Sequence, residues 1–452
     1  MAAKRGGPAI RSARWVFWLL FSINLVNYLD RLLAVAVAPT LKAEFHLTDR
    51  DIGLLTSAFL IIYTVSALPL GLLADRVARA RVVALGVALW SVASAATAFC
   101  RNFAGLFATR AGVGIGEASY FPAGTAILSA YFPLAQRAQA MSRWGAGQIV
   151  GTALAFALAG LLDHALGPQL GWRVAFFVAA IPGVFLAALM WYVRDRPSAP
   201  DPPPQPPAAA RPRTAPRWAD LLRTLGQIRA VLRIRTVVLG IILQAIVYIV
   251  VTPTIAFLTI YVGSPASHFH LRPGQPALVS GIVIVLGGLV GTLLGGYLSD
   301  WLSPRVRGGR IVVVGLGFAC ALPCFAITIL THALPVFMVA GTLTVIALTV
   351  QVGPLGAAVQ DATPDLLRAS AVAVTLLLAH LSGDAWASWA VGAISTALGE
   401  RTDLGLLFVG TPALALGVIV ALIVARIYAT DVAARSRATE PATAGHADPA
   451  GA

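Results

Sequence analysis

The sequence predicts an all-α membrane protein with twelve transmembrane helices in two pseudo-symmetric six-helix bundles. Composition, the spacing of apolar segments and an internal repeat predict this fold class. Of the 452 residues, 58% are hydrophobic and only 12% are charged, and the mean hydropathy is +0.81. Soluble domains carry about 25% charged residues. The composition therefore excludes a cytosolic enzyme, a disordered chain and a secreted disulfide-rich protein.

Twelve apolar segments are long enough to cross a bilayer, which takes about 20 residues in a helix. The predicted spans lie near residues 15–38, 51–74, 82–101, 103–130, 138–162, 173–193, 236–262, 277–300, 311–331, 334–359, 367–392 and 404–428. The first is not expected to be a cleaved signal peptide, because it is too long and contains Asp30 and Arg31.

Basic residues predict the orientation. With the N-terminus inside, 25 of the 33 Lys and Arg fall in inner segments, six fall in outer loops, and Arg31 and Arg110 remain in the membrane. Inner loops of membrane proteins carry such an excess. Both termini are therefore expected in the cytoplasm, and the net charge of +14 needs no nucleic-acid partner. Two lysines against 31 arginines suggest a GC-rich bacterial genome and the bacterial cytoplasmic (inner) membrane.

A long connection divides the chain into two halves. Nine prolines between Pro197 and Pro216 predict an extended spacer, and apolar residues at helical spacing from Trp218 predict a basic amphipathic helix on the inner surface. The predicted organisation is a cytoplasmic tail 1–14, a first bundle 15–193, a cytoplasmic linker 194–235, a second bundle 236–428 and a cytoplasmic tail 429–452.

The two halves repeat short motifs at matching places. Gly71-Leu-Leu-Ala-Asp75 ends span 2, and Gly296-Tyr-Leu-Ser-Asp300 ends span 8. Pro133-Leu-Ala-Gln-Arg137 follows span 4, and Pro364-Asp-Leu-Leu-Arg368 follows span 10. Two repeats in the same order indicate duplication, from which many transporters build two bundles around a midplane site.

These motifs resemble a known superfamily of transporters. The segment Gly71-x-x-x-Asp75-Arg76-x-x-Arg79-x-Arg81 is similar to the cytoplasmic signature of the major facilitator superfamily, with departures at Ala78 and Ala80. The segment Arg110-x-Gly112-x-Gly114-x-Gly116 resembles its second signature. The resemblance implies that Gly71, Asp75, Arg76, Arg79, Arg137 and Asp300 form a cytoplasmic gate, weaker in the second half because Trp301 follows Asp300.

A narrower resemblance is to the Spinster family. It rests on Asn27-Tyr-Leu-Asp30-Arg31, Lys42-Ala-Glu-Phe-His-Leu, Gly114-Ile-Gly-Glu117-Ala118 and His380-Leu-Ser-Gly-Asp384-Ala385. The segments around Asp30 and Glu117 also resemble organic-anion:cation symporters. The Spinster resemblance implies a proton-linked carrier of amphiphilic lipids such as lysophospholipids or sphingoid phosphates.

Ionisable residues inside the spans are functional candidates because burying each one costs about 2.5–3.5 kcal/mol. Asp30 and Glu117 are the candidates for proton coupling, and Arg31, Arg110, His380 and Asp384 are expected to form a charge network with them. A static ion-pair network is the alternative for the first half, and a plain polar contact is the alternative for His380 and Asp384. The expected substrate cavity is lined by Asn27, Tyr28, Tyr120, Gln244, Tyr248 and Gln351.

The function predicted from the sequence is proton-coupled secondary transport, by alternating access, of an amphiphilic lipid. A symporter of small organic anions is the alternative carrier, and a membrane sensor or receptor is the non-transporting alternative. The expected partners are the substrate, protons and membrane lipids, and the expected state is a monomer. No enzyme activity, cofactor or metal site is expected, since nucleophile–base pairs, metal-ligand sets and the P-loop motif are missing from the sequence.

Overall fold

The computed structural model describes residues 12–74, 77–194, 226, 228–364 and 367–439. Within them the chain forms sixteen α-helices, which we number in chain order. The helices of the first half are α1 (Ala13–Ala36), α2 (Ala38–Glu44), α3 (Asp49–Ala74), α4 (Arg79–Thr97), α5 (Phe103–Ala118), α6 (Tyr120–Tyr131), α7 (Leu134–Leu166) and α8 (Pro168–Trp191). Those of the second half are α9 (Arg235–Gly263), α10 (Gln275–Leu302), α11 (Gly309–Leu330), α12 (Leu334–Thr349), α13 (Val352–Ala362), α14 (Arg368–Ser382), α15 (Asp384–Ala397) and α16 (Thr402–Thr439).

These helices account for the twelve predicted spans. Among the described residues, eleven helical stretches are long and apolar enough to cross a membrane. The remaining span consists of α5 and α6, which are each too short alone because the helix is interrupted at Ser119. Pro122 explains the break, since its ring nitrogen cannot donate to the carbonyl of Ala118. The predicted all-helical fold class is therefore confirmed.

Two further spans are broken in a way that the sequence periodicity does not predict. Span 10 changes from α12 to α13 at Val350 and Gln351. Pro354 has no N–H to donate to the carbonyl oxygen of Val350, four residues before it. Span 11 changes from α14 to α15 at Gly383, whose backbone lies outside the helical region at φ −104° and ψ −92°. Broken helices in membrane transporters usually line a binding site, because their free backbone groups must face polar surroundings.

The two halves meet along two pairs of helices. Helix α3 packs against α15, and α7 packs against α10. Small residues make this contact close: a Cβ on Gly53 would lie 2.3 Å from the carbonyl oxygen of Ser388, and one on Gly274 would lie 2.3 Å from that of Gly160. All four residues lie near one end of the spans, the end that carries α2 and Glu400. We call it the outer end, following the predicted orientation.

Hydrogen bonds between the halves also lie at the outer end. Ser395 and Thr402 of the second half both donate to Asp49 of the first, at 2.5 Å each. The backbone N–H of Trp389 donates to Ser57 across the same interface at 3.1 Å. The described residues therefore form a conformation that is closed at the outer end.

The domain boundaries are only partly covered by the described residues. Helix α16 continues to Thr439, beyond residue 428, where the sequence places the end of the last span. Most of the Pro-rich linker, and nearly all of the N-terminal tail, lie outside the described residues. The division into these segments stays a prediction.

Candidate functional site

An ion pair in the first half joins α1 to α5. Arg31 donates to one oxygen of Glu117 from Nη2 at 2.6 Å and from Nε at 2.9 Å. The Glu117 side chain is fully buried, whereas 23% of the Arg31 side chain is exposed. The other oxygen of Glu117 has no hydrogen-bond partner among the described residues. Arg31 is therefore a cation that neutralises a buried carboxylate and also faces open space.

Aromatic rings surround the exposed side of Arg31. Its guanidinium carbon lies 4.9 Å from the ring centre of Tyr63, 5.2 Å from that of Tyr28 and 5.4 Å from that of Phe59. Such distances allow cation–π attraction, which lowers the cost of holding a charge in the membrane. The site therefore combines the positive charge of Arg31 with surrounding aromatic side chains.

Asp30 lies next to this pair but is held differently. Its side chain is fully buried and accepts one hydrogen bond, from Ser94 of α4 at 2.8 Å, while its second oxygen has no partner among the described residues. Arg110 is also buried, and its Nε and Nη2 likewise have no partner there; its guanidinium lies 5.4 Å from the ring of Phe176. Asp30, Arg110 and Glu117 are within electrostatic range of one another. The structure thus brings Asp30, Arg31, Arg110 and Glu117 together, and among these four described residues only Arg31 and Glu117 are bonded to each other. His380 and Asp384, the other two members of the predicted network, form a separate pair.

The second half presents an uncharged aromatic surface beside a His–Asp pair. His380 Nδ1 lies 2.9 Å from Asp384 Oδ2, and Thr252 of α9 donates weakly to the same oxygen at 3.4 Å. The ring of His380 stacks on Tyr248 with centres 4.2 Å apart. The sequence predicts that His380 and Asp384 meet on one helix face; they do meet, but across the break at Gly383. Tyr248 is within electrostatic range of Tyr28 and Tyr63, so this surface faces the Arg31 cluster.

The other expected cavity residues take different positions. Asn27 and Gln244 are buried. Gln351 at the break in span 10 is fully buried, and neither of its amide atoms has a hydrogen-bond partner in the described part of the chain. Tyr120 is held in the packed interior of the first half, where its hydroxyl donates to the carbonyl oxygen of Leu20 at 2.6 Å and accepts from Trp144 at 2.7 Å. In this conformation Tyr120 therefore serves packing instead of facing the cavity as expected, because its polar atom is already satisfied.

The predicted cytoplasmic gate is only partly described. Asp75 and Arg76 lie outside the described residues. Arg137 donates to the carbonyl oxygen of Phe132 at 3.1 Å, close to the start of its own helix. Asp300 is exposed at the end of α10. Gly71 faces α6, with a hypothetical Cβ 3.9 Å from Pro122. The gate stays a prediction.

A second polar network, which sequence reasoning missed, joins the halves at the outer end. Lys42 of α2 bonds to Asp49 of α3 and lies 2.6 Å from Glu400, in the loop before α16. Glu400 also accepts from the backbone N–H of Asp49 at 3.0 Å. We call Lys42, Asp49 and Glu400 the outer latch. Lys42 belongs to a segment quoted for the Spinster resemblance, which was the one available signal.

The Lys42–Glu400 pair of the outer latch holds its charges over a wide range of pH. Burial lowers the pKa of Lys42, but hydrogen bonds to Asp49 and Glu400 outweigh this and raise it above the ordinary 10.5. Burial raises the pKa of Glu400, but the hydrogen bond from Lys42 outweighs this and lowers it below the ordinary 4.5. The stabilising contribution of Glu400 to the ion pair is lost only as the pH falls through the lowered pKa of Glu400. The stabilising contribution of Lys42 is lost only as the pH rises through the raised pKa of Lys42. The Lys42–Glu400 pair is therefore charged throughout the physiological range.

Comparison with known proteins supports the predicted resemblance. The model of the Major Facilitator Superfamily matches residues 20–386. The protein spinster of Drosophila melanogaster is 27% identical over 406 residues, which are 86% of this chain and 63% of that protein, so the chain spans just under two thirds of that relative's length. A probable L-galactonate transporter of Escherichia coli is 32% identical over 178 residues, or 39% of this chain and 38% of that one.

A solved structure has the same fold. A bacterial homolog of the human lysosomal transporter Spinster, in an inward-facing and unoccupied conformation, superposes with a TM-score of 0.75. The match covers 96% of this chain and 99% of the other at 22% sequence identity. Both the superfamily and the likeness to Spinster proteins that the motifs predict are confirmed.

Proposed function

The chain belongs to the major facilitator superfamily, and from that premise we propose that it is a proton-coupled secondary transporter of an amphiphilic anionic lipid, of the lysophospholipid or sphingoid-phosphate type. It moves its substrate by alternating access between the two halves. In this mechanism the contact of Asp49 with Ser395 and Thr402 holds the outer end closed and must break when the substrate site opens outward.

The position of Arg31 carries this proposal. Its side chain is partly exposed and is flanked by the rings of Tyr28, Tyr63 and Phe59. Two of these rings, Tyr28 and Tyr63, lie within electrostatic range of Tyr248 of the second half. A phosphate or carboxylate bound to the guanidinium leaves the rest of the molecule against aromatic and aliphatic walls. This combination suits a substrate with a charged head and an apolar tail.

Binding of such a head group couples to protonation through Glu117. The anion competes with Glu117 for Arg31, and a buried carboxylate that loses its partner is costly unless it takes up a proton. Asp30 offers a second proton acceptor, because among the described residues one of its oxygens has no hydrogen-bond partner and Arg110 beside it is bonded to neither carboxylate. Protonation of these carboxylates frees positive charge for the anion, so substrate binding and proton binding favour each other.

A symporter of small organic anions is the second candidate. The partial match to a probable L-galactonate transporter favours it, although that match covers only 39% of this chain. Arg31 could bind a sugar acid too, but several hydroxyls need more hydrogen-bonding groups than Tyr248 provides, and Gln351 is fully buried.

The test is uptake into proteoliposomes with an imposed pH gradient. Radiolabelled lysophospholipid and radiolabelled hexonate are supplied separately, with protein-free liposomes as the control for passive insertion of the lipid. Uptake of lysophospholipid that requires both protein and gradient supports the proposal. Gradient-driven uptake of hexonate alone would replace it with the small-anion symporter.

A further inference from the structure

A cavity of about 530 Å³ lies on the periphery of the first half, at its outer end and apart from the Arg31 site. It is formed where the turn after α4 meets the start of α8. Phe99 and Arg101 line it from the turn, and Leu170, Arg173 and Phe177 line it from α8. Phe99 is 71% exposed and Phe177 is 48% exposed, so the cavity opens toward the surroundings of the bundle.

The two arginines of this cavity differ in how they are bound. Arg173 is fixed, because it donates to Glu44 at 2.6 Å, lies 3.4 Å from the carbonyl oxygens of Ala98 and Cys100, and stacks over Trp172. Arg101 is exposed and forms no ion pair within the described part of the chain. Since Glu44 balances Arg173, the rim of the cavity carries one uncompensated positive charge.

Exposed apolar side chains continue from the cavity along both helices. On α4, Val92 is 61% exposed and Leu85 is 60% exposed, two helical turns or about 10 Å apart. On α8, Val184 and Phe185 are similarly exposed. The two stripes run from the arginines toward the middle of the membrane, which is the path of an acyl chain whose head group lies at the surface.

We propose that this cavity is a binding site for one anionic phospholipid of the leaflet at the outer end. Its phosphate binds Arg101, with Arg173 adding positive potential, and one acyl chain lies between Phe99 and Phe177 along the exposed stripes of α4 and α8. A free phosphate lacks the apolar contacts, and a zwitterionic lipid brings a second charge that Arg101 repels. The lipid would hold the start of α8 against the turn after α4.

Native mass spectrometry of the whole detergent-purified protein tests this site. The protein is titrated with phosphatidylglycerol and, separately, with phosphatidylethanolamine of the same chains. A basic side chain near a membrane surface contributes about 1 kcal/mol to binding an anionic lipid. Arg101→Gln should therefore weaken the first phosphatidylglycerol adduct roughly five-fold and leave phosphatidylethanolamine unchanged. Arg101→Lys should retain most of the preference.

Arg272→Gln is the matched control, since Arg272 is also an exposed arginine in a predicted outer loop. It should leave phosphatidylglycerol binding as in the wild type. Equal adduct distributions for Arg101→Gln and Arg272→Gln would overturn the site, as would equal binding of the two lipids by the wild type. Displacement of the adduct by glycerol phosphate alone would also overturn it, by showing that the acyl chain contributes nothing. Because the readout is lipid binding, the result is independent of the transported substrate.

Discussion

At the scale of single residues, membrane energetics predicts the charge cluster of the first half but not its bonding. Asp30, Arg31, Arg110 and Glu117 stand out because each is an ionisable group in an apolar segment. Which of them pair depends on rotamers and helix rotation, which spacing does not determine. The contact between Asp49 and Glu400 could not be predicted from the sequence for another reason. The two residues lie in a loop or at a helix end and are 351 positions apart.

Arg31→Gln should destabilise the protein strongly, because it leaves the buried carboxylate of Glu117 without a partner. Breaking a buried ion pair from one side costs about 3–5 kcal/mol. Glu117→Gln should be milder, and the double variant should recover part of the loss, because no unpaired charge remains. Thermal unfolding in detergent, analysed as a double-mutant cycle, measures the coupling. Arg50→Gln is the control for the loss of an exposed arginine. Strictly additive effects of Arg31→Gln and Glu117→Gln on the free energy of unfolding would show that the pair is not coupled.

At the scale of helices, the number and order of spans follow from apolar length, whereas the breaks do not. Pro122 and Pro354 identify positions where a helix loses a hydrogen bond, but many membrane helices continue through proline. The break at Gly383 has no proline, and only the packing of α14 and α15 against neighbours reveals it. The outer contact of α3 with α15 depends on Gly53, whose role as a close-approach position is likewise visible only in the assembled fold.

Gly53→Ala should shift the protein away from the outer-closed state. The added Cβ would lie 2.3 Å from the carbonyl oxygen of Ser388, so the two halves must separate there. A cysteine introduced at the buried Ser57, with the three native cysteines replaced, reports on opening by its labelling with an impermeant maleimide. Labelling should be at least several-fold faster in Gly53→Ala. Gly288→Ala is the control, since nothing lies within 4 Å of its added Cβ; equal rates in both variants would contradict the outer contact.

Lys42→Met should also open the outer end, because it removes the cation that bridges Asp49 and Glu400. The acceleration of Ser57→Cys labelling should be the same at pH 5.5 and pH 8, since the raised pKa of Lys42 and the lowered pKa of Glu400 lie outside that interval. Arg401→Gln is the control, because Arg401 pairs at 2.7 Å with Asp403 of its own half. An effect of Lys42→Met that disappears at one of these pH values would make the latch itself pH-sensitive.

At the scale of the whole molecule, composition and the duplicated motifs predict the superfamily fold, because a chain this apolar has few ways to satisfy its backbone in a membrane. Orientation rests on the distribution of basic residues and is open to direct measurement. A cysteine at Ser264, in the loop after α9, should react with an impermeant reagent in intact cells, and one at Ala208, in the linker, should react only after lysis. The reverse pattern would exchange the inner and outer ends throughout.

We propose that protons drive transport through the buried carboxylates of the first half, and Asp30→Asn tests this coupling most directly. The amide mimics the protonated side chain and can still bond to Ser94, so folding and substrate exchange should persist. Proteoliposomes containing wild type or variant are compared for lysophospholipid uptake with and without a pH gradient, and for exchange at equal pH on both sides. We expect the variant to exchange substrate while losing its response to the gradient. A variant that keeps the full gradient response would show that Asp30 does not carry the coupled proton.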